Sequence, residues 1–220
     1  MNSQKVFTAP NAVDTALFSR LSTLEAQTRI RLRARFGLPE RYFLFVGRLV
    51  REKGVLDLLN AYQVLPDTLR AEVGLVLAGD GPMRSELETL AREIYPGSVQ
   101  LPGFVHRENL PAYYTLAECF VLPTHTDPWG LVVNEAMACG LPVICTRVAG
   151  CAADLVCANG RSIAPGDIGE LAHAMHELAA NAALRNAMAA QSRDLIETYS
   201  PETWAAGMAQ AASAPEAYVQ

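Results

Sequence analysis

A loop followed by a helix is predicted for the stretch Thr126-Asp127-Pro128-Trp129-Gly130-Leu131-Val132-Val133-Asn134-Glu135-Ala136-Met137-Ala138-Cys139-Gly140-Leu141-Pro142. The apolar run before this segment, Cys119-Phe120-Val121-Leu122, is short and rich in β-forming residues, which predicts a buried strand. Asn134 is the predicted cap of the helix, and Gly140-Leu141-Pro142 supply its stop signals. In an open parallel sheet, ligands bind in the crevice outside the carboxyl ends of the strands, so this loop is a candidate site.

Two carboxylates bracket the turn in this segment. Asp127 is predicted in the loop and Glu135 in the first turn of the helix, so both can face one crevice from different heights. Backbone N–H groups near Gly130 and Leu131 are close to the helix N-terminus, where an anion binds favourably. A ligand with hydroxyl groups at its ends and phosphates in its middle fits this layout. An ordinary polar loop followed by a glutamate near a helix dipole fits the spacing equally well.

Two cations follow another predicted strand, Tyr42–Val46. Arg48 and Lys53 lie in the loop between this strand and a helix predicted from Val55. Gly47 lets the backbone come close to a ligand at the start of this loop. The planar fork of arginine matches phosphate oxygens, whereas lysine offers a point charge. The pattern predicts a phosphate-binding loop, with simple surface solvation as the alternative.

A third loop has the sequence Gly79-Asp80-Gly81-Pro82, after a strand predicted over 73–78. The dinucleotide-binding pattern G-x-G-x-x-G would require glycine at position 84, which is occupied by Arg84. A Walker phosphate-binding loop is also missing from the sequence. This turn therefore either lets a strand end approach a nucleotide or serves only to pack the backbone.

The remaining sequence alternates predicted strands and helices. Further strands are predicted over 5–10, 99–101 and 142–145, further helices over 24–36, 83–94, 109–118, 168–180, 183–197 and from Pro201, and turns over 159–167. Asp167 is the predicted cap of the helix at 168–180. Helical spacing in the helix over 109–118 predicts that Tyr114 points inward as a core residue. This alternation predicts an α/β fold with a Rossmann-like parallel sheet and helices on both of its faces.

The composition excludes several classes of function. The 220 residues carry a net charge of −5 and no basic run, which argues against a nucleic-acid-binding surface. No apolar stretch approaches the roughly 18 residues that a membrane-spanning helix needs. The five cysteines are odd in number and include no C-x-x-C pair, which favours free thiols in a reducing cytoplasm. His173 and His176 have no neighbouring ligand partners, so no metal site is predicted there.

Two motifs carry a resemblance to a known family. Residues 127–140 resemble the acid-x7-Glu motif, followed by Ala-Met-Ala-x-Gly-x-Pro-Val, of the retaining family-4 glycosyltransferases, which have GT-B architecture. The segment from Gly47-Arg48-Leu49 to Lys53-Gly54 is similar to a second motif of that family, Gly-Arg-Leu-x-x-x-Lys-Gly. The likeness spans about 6–208. The chain departs from the family at Asp127, where the family usually has Glu. It also departs in the loop over 146–150, where Ala149 replaces one glycine of the pair that the family usually has.

The resemblance implies a role for each candidate residue. Arg48 and Lys53 would stabilise the leaving diphosphate of a nucleoside-diphosphate sugar, with no metal and no other cofactor. Asp127 would bind sugar hydroxyls, and Glu135 the ribose hydroxyls. The implied substrate-binding positions are Gly47, Gly79, Gly81, Phe104, Val105, His106, Trp129, Gly130, Leu131, Val132 and Glu135. Backbone around 104–106 would contact the base, whereas the side chain of His106 fits a plain surface residue better. His125 is expected to border the sugar site because it is close to Asp127 in sequence.

The resemblance also implies a domain organisation. Residues 1–22 would be a linker left from a missing N-terminal acceptor domain, 23–199 the nucleotide-sugar-binding domain, and 200–220 a crossover helix and tail with exposed apolar surface. The chain would be the C-terminal half of a GT-B enzyme that moves a hexosyl group to an acceptor hydroxyl. Its expected location is the cytoplasm, peripheral to the membrane through the missing domain. A nucleotide-sugar epimerase and a non-catalytic nucleotide-sugar-binding subunit, with an acceptor-binding subunit as its partner, remain alternatives.

Overall fold

A six-stranded parallel sheet forms the centre of the computed structural model, which describes residues 6–21, 24–94 and 97–214. The strands are β1 (Tyr42–Val46), β2 (Gly74–Ala78), β3 (Val99–Gly103), β4 (Cys119–Leu122), β5 (Val143–Thr146) and β6 (Gly160–Ile163). Their order across the sheet is β3-β2-β1-β4-β5-β6, and every neighbouring pair is parallel.

The four inner strands, β2, β1, β4 and β5, are buried along their whole length. Parallel strands with both faces covered consist of near-continuous apolar runs, which is why β1 and β4 could be predicted to the residue. The edge strands β3 and β6 are more exposed and less apolar. Edge strands therefore give a weaker sequence signal than inner ones.

Helices cover both faces of the sheet, which confirms the predicted α/β class. They are α1 (Thr15–Ser19), α2 (Ala26–Phe36), α3 (Val55–Gln63), α4 (Asp67–Glu72), α5 (Arg84–Ile94), α6 (Leu110–Leu116), α7 (Leu131–Ala138), α8 (Ala152–Leu155), α9 (Ile168–Ala180), α10 (Ala182–Ile196) and α11 (Pro201–Ser213), with a 3₁₀ turn at Arg51–Lys53. The sequence did not predict α1, α4 and α8. Each has six residues or fewer, which is too short for a 3.6-residue period to be recognised.

The sheet reverses its strand order between β1 and β4. One chain of crossovers runs outward from β1 through β2 to β3, and the other runs from β4 through β5 to β6. In open α/β sheets, the crevice at such a reversal, outside the carboxyl ends of the strands, is where ligands bind. The loops after β1 and β4 flank this crevice, and both were singled out by the sequence.

The strand predicted over 5–10 is wrong for the residues that the structure describes. Residues 6–14 form no strand, and Lys5 lies outside the described residues. This segment instead packs on α11. The two backbones come so close that a Cβ atom added at Gly207 would lie 2.1 Å from the carbonyl oxygen of Thr8. The apolar residues at 6 and 7 suggested a strand. The segment instead contacts a helix through its backbone, and such a contact does not require the alternation of apolar and polar residues that is typical of a strand.

The turn region predicted over 159–167 contains the edge strand β6. Gly160 was interpreted as a turn residue, but a Cβ atom there would lie 2.1 Å from the carbonyl oxygen of Val143 in β5. Here glycine permits close packing of two strands rather than a turn. The predicted cap Asp167 is confirmed, since its carboxylate accepts a 2.8 Å hydrogen bond from the backbone N–H of Glu170 at the start of α9.

Candidate ligand-binding site

The loops after β1 and β4 are packed against each other. The carbonyl oxygen of Glu52 accepts a 2.8 Å hydrogen bond from the backbone N–H of His125 and another from the hydroxyl of Thr124. A Cβ atom at Gly54 would lie 1.9 Å from the carbonyl oxygen of Pro123, so only glycine allows this approach. The two loops therefore form one joined rim on the crevice.

An ion pair connects the same two loops. The ammonium group of Lys53 lies 2.5 Å from Oδ2 of Asp127, and both side chains are largely buried, with exposed fractions of 24% and 10%. Oδ1 of Asp127 accepts a 3.2 Å hydrogen bond from the backbone N–H of Trp129. The resemblance implies that Arg48, Lys53, Asp127 and Glu135 converge on one cleft. The structure brings Lys53 and Asp127 into contact, whereas Arg48 and Glu135 line two different cavities.

The helix after this loop begins earlier than predicted. Gly130 is its N-cap, with φ +93°, and α7 starts at Leu131. Asn134, the predicted cap, lies inside the helix, and Glu135 lies in its second turn rather than in its first. A glycine in the left-handed region can itself precede a helix. The prediction instead chose Asn134, because asparagine is a common N-cap residue. The first N–H groups of α7 are therefore next to Asp127.

Asn134 ties three segments together instead of capping the helix. Its side chain is buried, accepts a 2.9 Å hydrogen bond from the indole N–H of Trp129 and donates another to the carbonyl oxygen of Asn11. The Trp129 ring also packs near Tyr199, with 6.4 Å between the ring centroids. The indole is thus a structural anchor, so Trp129 can contribute to a ligand site mainly through its backbone.

Glu135 is half-buried and paired with a residue that the sequence analysis assigned only to the core. Its Oε2 accepts a 2.7 Å hydrogen bond from the hydroxyl of Tyr114 in α6. Burial raises the pKa of Glu135, whereas this hydrogen bond and the charge of Arg107 lower it. Helical spacing correctly placed Tyr114 inward, but no sequence pattern indicated where its hydroxyl points.

Glu135 lines a cavity of about 560 Å³, here called the Glu135 cavity. Its lining residues are Asn11, Ala12, Val13, Asp14, Phe18, Arg107, Leu131, Glu135, Pro201 and Trp204. Leu131 is 46% exposed there, whereas Val132, also a predicted binding residue, packs against the core. The guanidinium of Arg107 lies 3.9 Å from the carboxylate of Asp14. The cavity thus combines apolar walls with a few charged groups, as ligand pockets commonly do.

Arg48 lines a second cavity of about 290 Å³, here called the Arg48 cavity. It is formed by Val46, Gly47, Arg48, Ala78, Gly79, Asp80, Phe104, Val105 and Leu110. Five predicted site residues are therefore brought together at the ends of β1, β2 and β3. His106 is exposed and is not among the lining residues; its ring contacts Phe104 edge-on, with 5.2 Å between centroids.

The glycines of the turn after β2 have a structural explanation. A Cβ atom at Gly79 would lie 1.8 Å from the carbonyl oxygen of Gly47, and one at Gly81 would lie 2.5 Å from that of Leu49. Leu49 also donates a 2.9 Å backbone hydrogen bond to the carbonyl of Asp80. Both glycines are required for the loops after β1 and β2 to pack together, whether or not a ligand is bound.

His125 pairs with α3 on a different part of the rim. Its Nε2 lies 2.7 Å from the carboxylate of Asp57, and both residues line a cavity of about 360 Å³ with Arg51 and Glu52. Its backbone is joined to the Lys53 loop, as described above. Whether His125 borders the sugar site remains a prediction.

No group of three or more His, Cys, Asp or Glu side chains that could hold a metal ion occurs among the described residues. All five cysteines lie in the described part of the chain, and none forms a disulfide. Four of them are buried, whereas Cys157 is exposed. In the ranges that the structure describes, no helix is both long enough and apolar enough to cross a bilayer.

Comparison with known proteins gives consistent matches. The family described as "Glycosyl transferases group 1" matches residues 27–195. The chain is 35% identical over 109 residues to the O-antigen chain mannosyltransferase B of Escherichia coli, covering 49% of this chain and 29% of that protein. It is also 35% identical over 175 residues to the glycogen synthase of Mycobacterium tuberculosis (strain H37Rv), covering 76% of this chain and 41% of that protein. The chain therefore spans less than half the length of these relatives.

Solved structures share the fold. The HepE protein of Anabaena, in a crystal structure with UDP and glucose, superposes with a TM-score of 0.79 at 21% sequence identity. The match covers 92% of this chain and 55% of HepE. The structural neighbours are glycosyltransferases of GT-B architecture, so the sheet described above is the fold of one GT-B domain.

Proposed function

Because this chain belongs to the group 1 glycosyltransferase family, we propose that it is the donor-binding domain of a retaining glycosyltransferase. In the proposed reaction a hexosyl group passes from a nucleoside-diphosphate sugar to an acceptor hydroxyl without a metal ion, and the anomeric configuration is retained. The bond between the anomeric carbon and the diphosphate oxygen breaks, and the nucleoside diphosphate leaves with its electron pair. The acceptor oxygen forms a bond to the anomeric carbon and releases its proton to the leaving group or to water.

The observation that carries this proposal is the contact between Lys53 and Asp127. A cation suited to phosphate oxygens and a carboxylate suited to sugar hydroxyls meet where the strand order reverses, on loops that are hydrogen-bonded to each other. A donor sugar presents these two chemistries at adjacent atoms, because its anomeric carbon is bonded to the diphosphate. Lys53 can therefore bind the diphosphate and Asp127 the sugar, on the two sides of the bond that breaks.

Two cations are available for the leaving diphosphate. Lys53 is held in place by Asp127, whereas Arg48 is exposed on the same loop and lines the Arg48 cavity. Negative charge grows on the leaving group during transfer, so preorganised positive charge lowers the barrier. Removing one such contact typically costs about 3 kcal/mol in the transition state.

Asp127 would bind the sugar next to these cations. Its carboxylate is fixed from one side by Lys53 and from the other by the backbone N–H of Trp129. Gly130 then turns the chain so that the first N–H groups of α7 follow directly. Those groups can receive an oxygen of the ligand at a helix N-terminus. The side chain of Asp127 is shorter than the usual glutamate, and its ion pair shows that it still reaches the opposite loop.

The nucleoside would extend away from the diphosphate. Glu135 supplies a carboxylate in the Glu135 cavity, and Phe104 offers an apolar ring that is 71% exposed beside the Arg48 cavity. The crystal structure of HepE with UDP and glucose supports the view that this fold accommodates a nucleotide and a sugar together. The name of the E. coli relative, a mannosyltransferase, supports a hexosyl group as the transferred unit.

Titration calorimetry with UDP, GDP and ADP tests the proposal. We expect the chain to bind at least one of them, and to bind the corresponding nucleoside more weakly, because the nucleoside lacks the diphosphate. Arg48→Ala and Lys53→Ala should each weaken binding of the diphosphate about tenfold, since a hydrogen bond to a charged group contributes roughly 1.5–3 kcal/mol. Binding of the nucleoside should be nearly unchanged.

Arg31→Ala is the matched control for these two variants. Arg31 is exposed on α2, so its replacement removes the same kind of charge from an element that carries none of the candidate site residues. This variant should bind like the wild-type chain. A wild-type chain that binds none of the three diphosphates, or variants that lose affinity for nucleoside and diphosphate equally, would contradict the proposed diphosphate site.

A further inference from the structure

We propose that Tyr114 is a positioning residue that holds Glu135 in the orientation needed to bind the vicinal hydroxyls of a nucleotide ribose. The inference rests on the proposed function, and it adds a specificity role to a residue outside both motifs. Tyr114 would not touch the ligand itself. It would act through Glu135 and make the site selective for ribonucleotides over nucleotides that lack those hydroxyls.

The geometry defines which carboxylate oxygen is held. The hydroxyl of Tyr114 donates a 2.7 Å hydrogen bond to Oε2 of Glu135, across the contact between α6 and α7. Within the described residues, no protein group donates to Oε1 of the same carboxylate. Glu135 is half-buried and lines the Glu135 cavity. One oxygen is thus fixed by the protein, which leaves the other for a ligand.

The ring of Tyr114 is itself fixed by its neighbours. It is fully buried, contacts Phe18 edge-on at a centroid distance of 5.8 Å and lies 5.7 Å from the ring of Phe120. Close packing on two sides leaves the phenol no room to follow a moving glutamate. The hydroxyl therefore defines one position for the carboxylate rather than adapting to several.

The protonation states suit this arrangement. Burial and the neighbouring carboxylate raise the pKa of Tyr114 well above its ordinary value, so the phenol keeps its proton and remains a donor. Burial raises the pKa of Glu135, and the hydrogen bond from Tyr114 opposes that change. Arg107 acts in the same direction through its charge. Tyr114 thus helps to keep the half-buried Glu135 carboxylate ionised, so that two ligand hydroxyls can donate hydrogen bonds to it in the Glu135 cavity.

This role predicts a specific pattern of ligand discrimination. A carboxylate in a fixed orientation can accept hydrogen bonds from both ribose hydroxyls, whereas a 2′,3′-dideoxy nucleotide offers none. A glutamate that has lost its Tyr114 partner can rotate. Fixing its orientation when the ligand binds costs conformational entropy, which offsets part of the free energy gained from the ribose hydrogen bonds. The preference for ribose should therefore decrease when the Tyr114 hydroxyl is removed, although the ligand never contacts that hydroxyl.

The test compares two ligands on four chains: the wild-type chain, Tyr114→Phe and the two further variants described below. UDP, GDP and ADP are titrated into the wild-type chain, and the tightest of them is then paired with its 2′,3′-dideoxy form. We expect the wild-type chain to prefer the ribonucleotide by about tenfold or more, because hydrogen bonds to a charged group are lost with the dideoxy form. Tyr114→Phe should weaken ribonucleotide binding about tenfold and dideoxynucleotide binding less than about twofold.

Tyr42→Phe is the matched control. Tyr42 is also a fully buried tyrosine, and its hydroxyl donates a 2.6 Å hydrogen bond to the carbonyl oxygen of Tyr113. Its loss should lower the thermal unfolding midpoint, as the loss of the Tyr114 hydroxyl should, but it should leave the ribose preference unchanged. A second variant carries 3-fluorotyrosine at position 114. It keeps the hydroxyl and should keep the preference, even if Tyr114→Phe does not fold.

Each outcome separates this inference from the proposed function. If the wild-type chain binds no nucleoside diphosphate, the proposed function fails and the inference fails with it. If it binds but Tyr114→Phe keeps the full ribose preference, only the inference is overturned. The same holds if both ligands weaken equally in Tyr114→Phe, because that result indicates a general structural role. Loss of the preference in the 3-fluorotyrosine chain also overturns it.

Discussion

At the scale of single residues, Glu135 is expected to lower the stability of the unliganded chain at neutral pH. Burial raises its pKa in the folded state, despite the opposing hydrogen bond from Tyr114 and charge of Arg107, so the folded chain binds a proton more readily than the unfolded chain. Glu135→Gln should therefore increase the free energy of unfolding at pH 7. The gain should shrink as the pH falls through the folded-state pKa toward about 4.3, the ordinary value of glutamate.

Urea denaturation of both chains between pH 4.5 and 8 measures this difference. Asp14 lines the same cavity, but it is present in both chains and therefore cancels from the comparison. Glu86→Gln serves as the control, since Glu86 is exposed on α5 and its replacement should change stability by no more than about 0.5 kcal/mol. A Glu135→Gln effect that stays constant with pH would show that charge is not its cause.

The candidate site was predictable from sequence where residues belong to loops, and less so where helices supply them. Lys53 and Asp127 follow apolar strands, so the carboxyl ends of those strands bring them to one edge. Tyr114 and Asn134 both lie on buried helix faces. Periodicity indicates only that Tyr114 points inward, and Asn134 was predicted as a helix cap. Which polar group each one meets depends on the packing of α6, α7 and residues 6–14, and no local pattern records that packing.

At the scale of elements, Gly54 should be essential to the joined rim formed by the loops after β1 and β4. Gly54 and Gly37 have nearly the same backbone, with φ of +66° and +64°, but very different surroundings. A Cβ atom at Gly54 would collide with the carbonyl of Pro123, whereas one at Gly37 would have no atom within 4 Å. Gly37→Ala should cost about 1 kcal/mol for the left-handed backbone alone. Gly54→Ala should cost about 1–3 kcal/mol more, because the two loops must separate.

Urea denaturation and nucleotide titration together check this pair of variants. Gly37 ends α2, away from the loops that carry Lys53 and Asp127, so Gly37→Ala should keep the wild-type affinity for the nucleoside diphosphate. Gly54→Ala should lose affinity as well as stability, because its loop carries Lys53 against Asp127. Equal losses of stability in the two variants would mean that the rim tolerates separation of its loops.

At the scale of the whole molecule, the class of fold followed from the alternation of apolar runs and helical periods, but the strand order did not. The order β3-β2-β1-β4-β5-β6 depends on which side of β1 each crossover takes, and both directions have the same sequence pattern. The prediction of a Rossmann-like parallel sheet therefore included no strand order, and the order is known from the structure. The packing of residues 6–14 on α11 was not predictable either, since it depends on one glycine, Gly207, that resembles any other in sequence.

The last helix leaves apolar surface in contact with solvent, as the resemblance implied. Gly207 is the buried residue of α11, whereas Trp204 and Met208 are 46% and 48% exposed. Trp204 also lines the Glu135 cavity, so this surface adjoins the candidate ligand site.

The proposed function leads to the prediction that the 220-residue chain binds a sugar donor but does not transfer the sugar. Transfer requires an acceptor hydroxyl held about 3–3.5 Å from the reacting carbon, whereas the roles proposed for Lys53 and Asp127 are both toward the donor. The chain should be incubated with UDP-glucose and GDP-mannose, and nucleotide release and sugar products followed by mass spectrometry. We expect calorimetric binding of one donor with no glycosylated product. A glycosylated product would contradict the prediction, and conversion of the donor into its epimer would identify an epimerase instead.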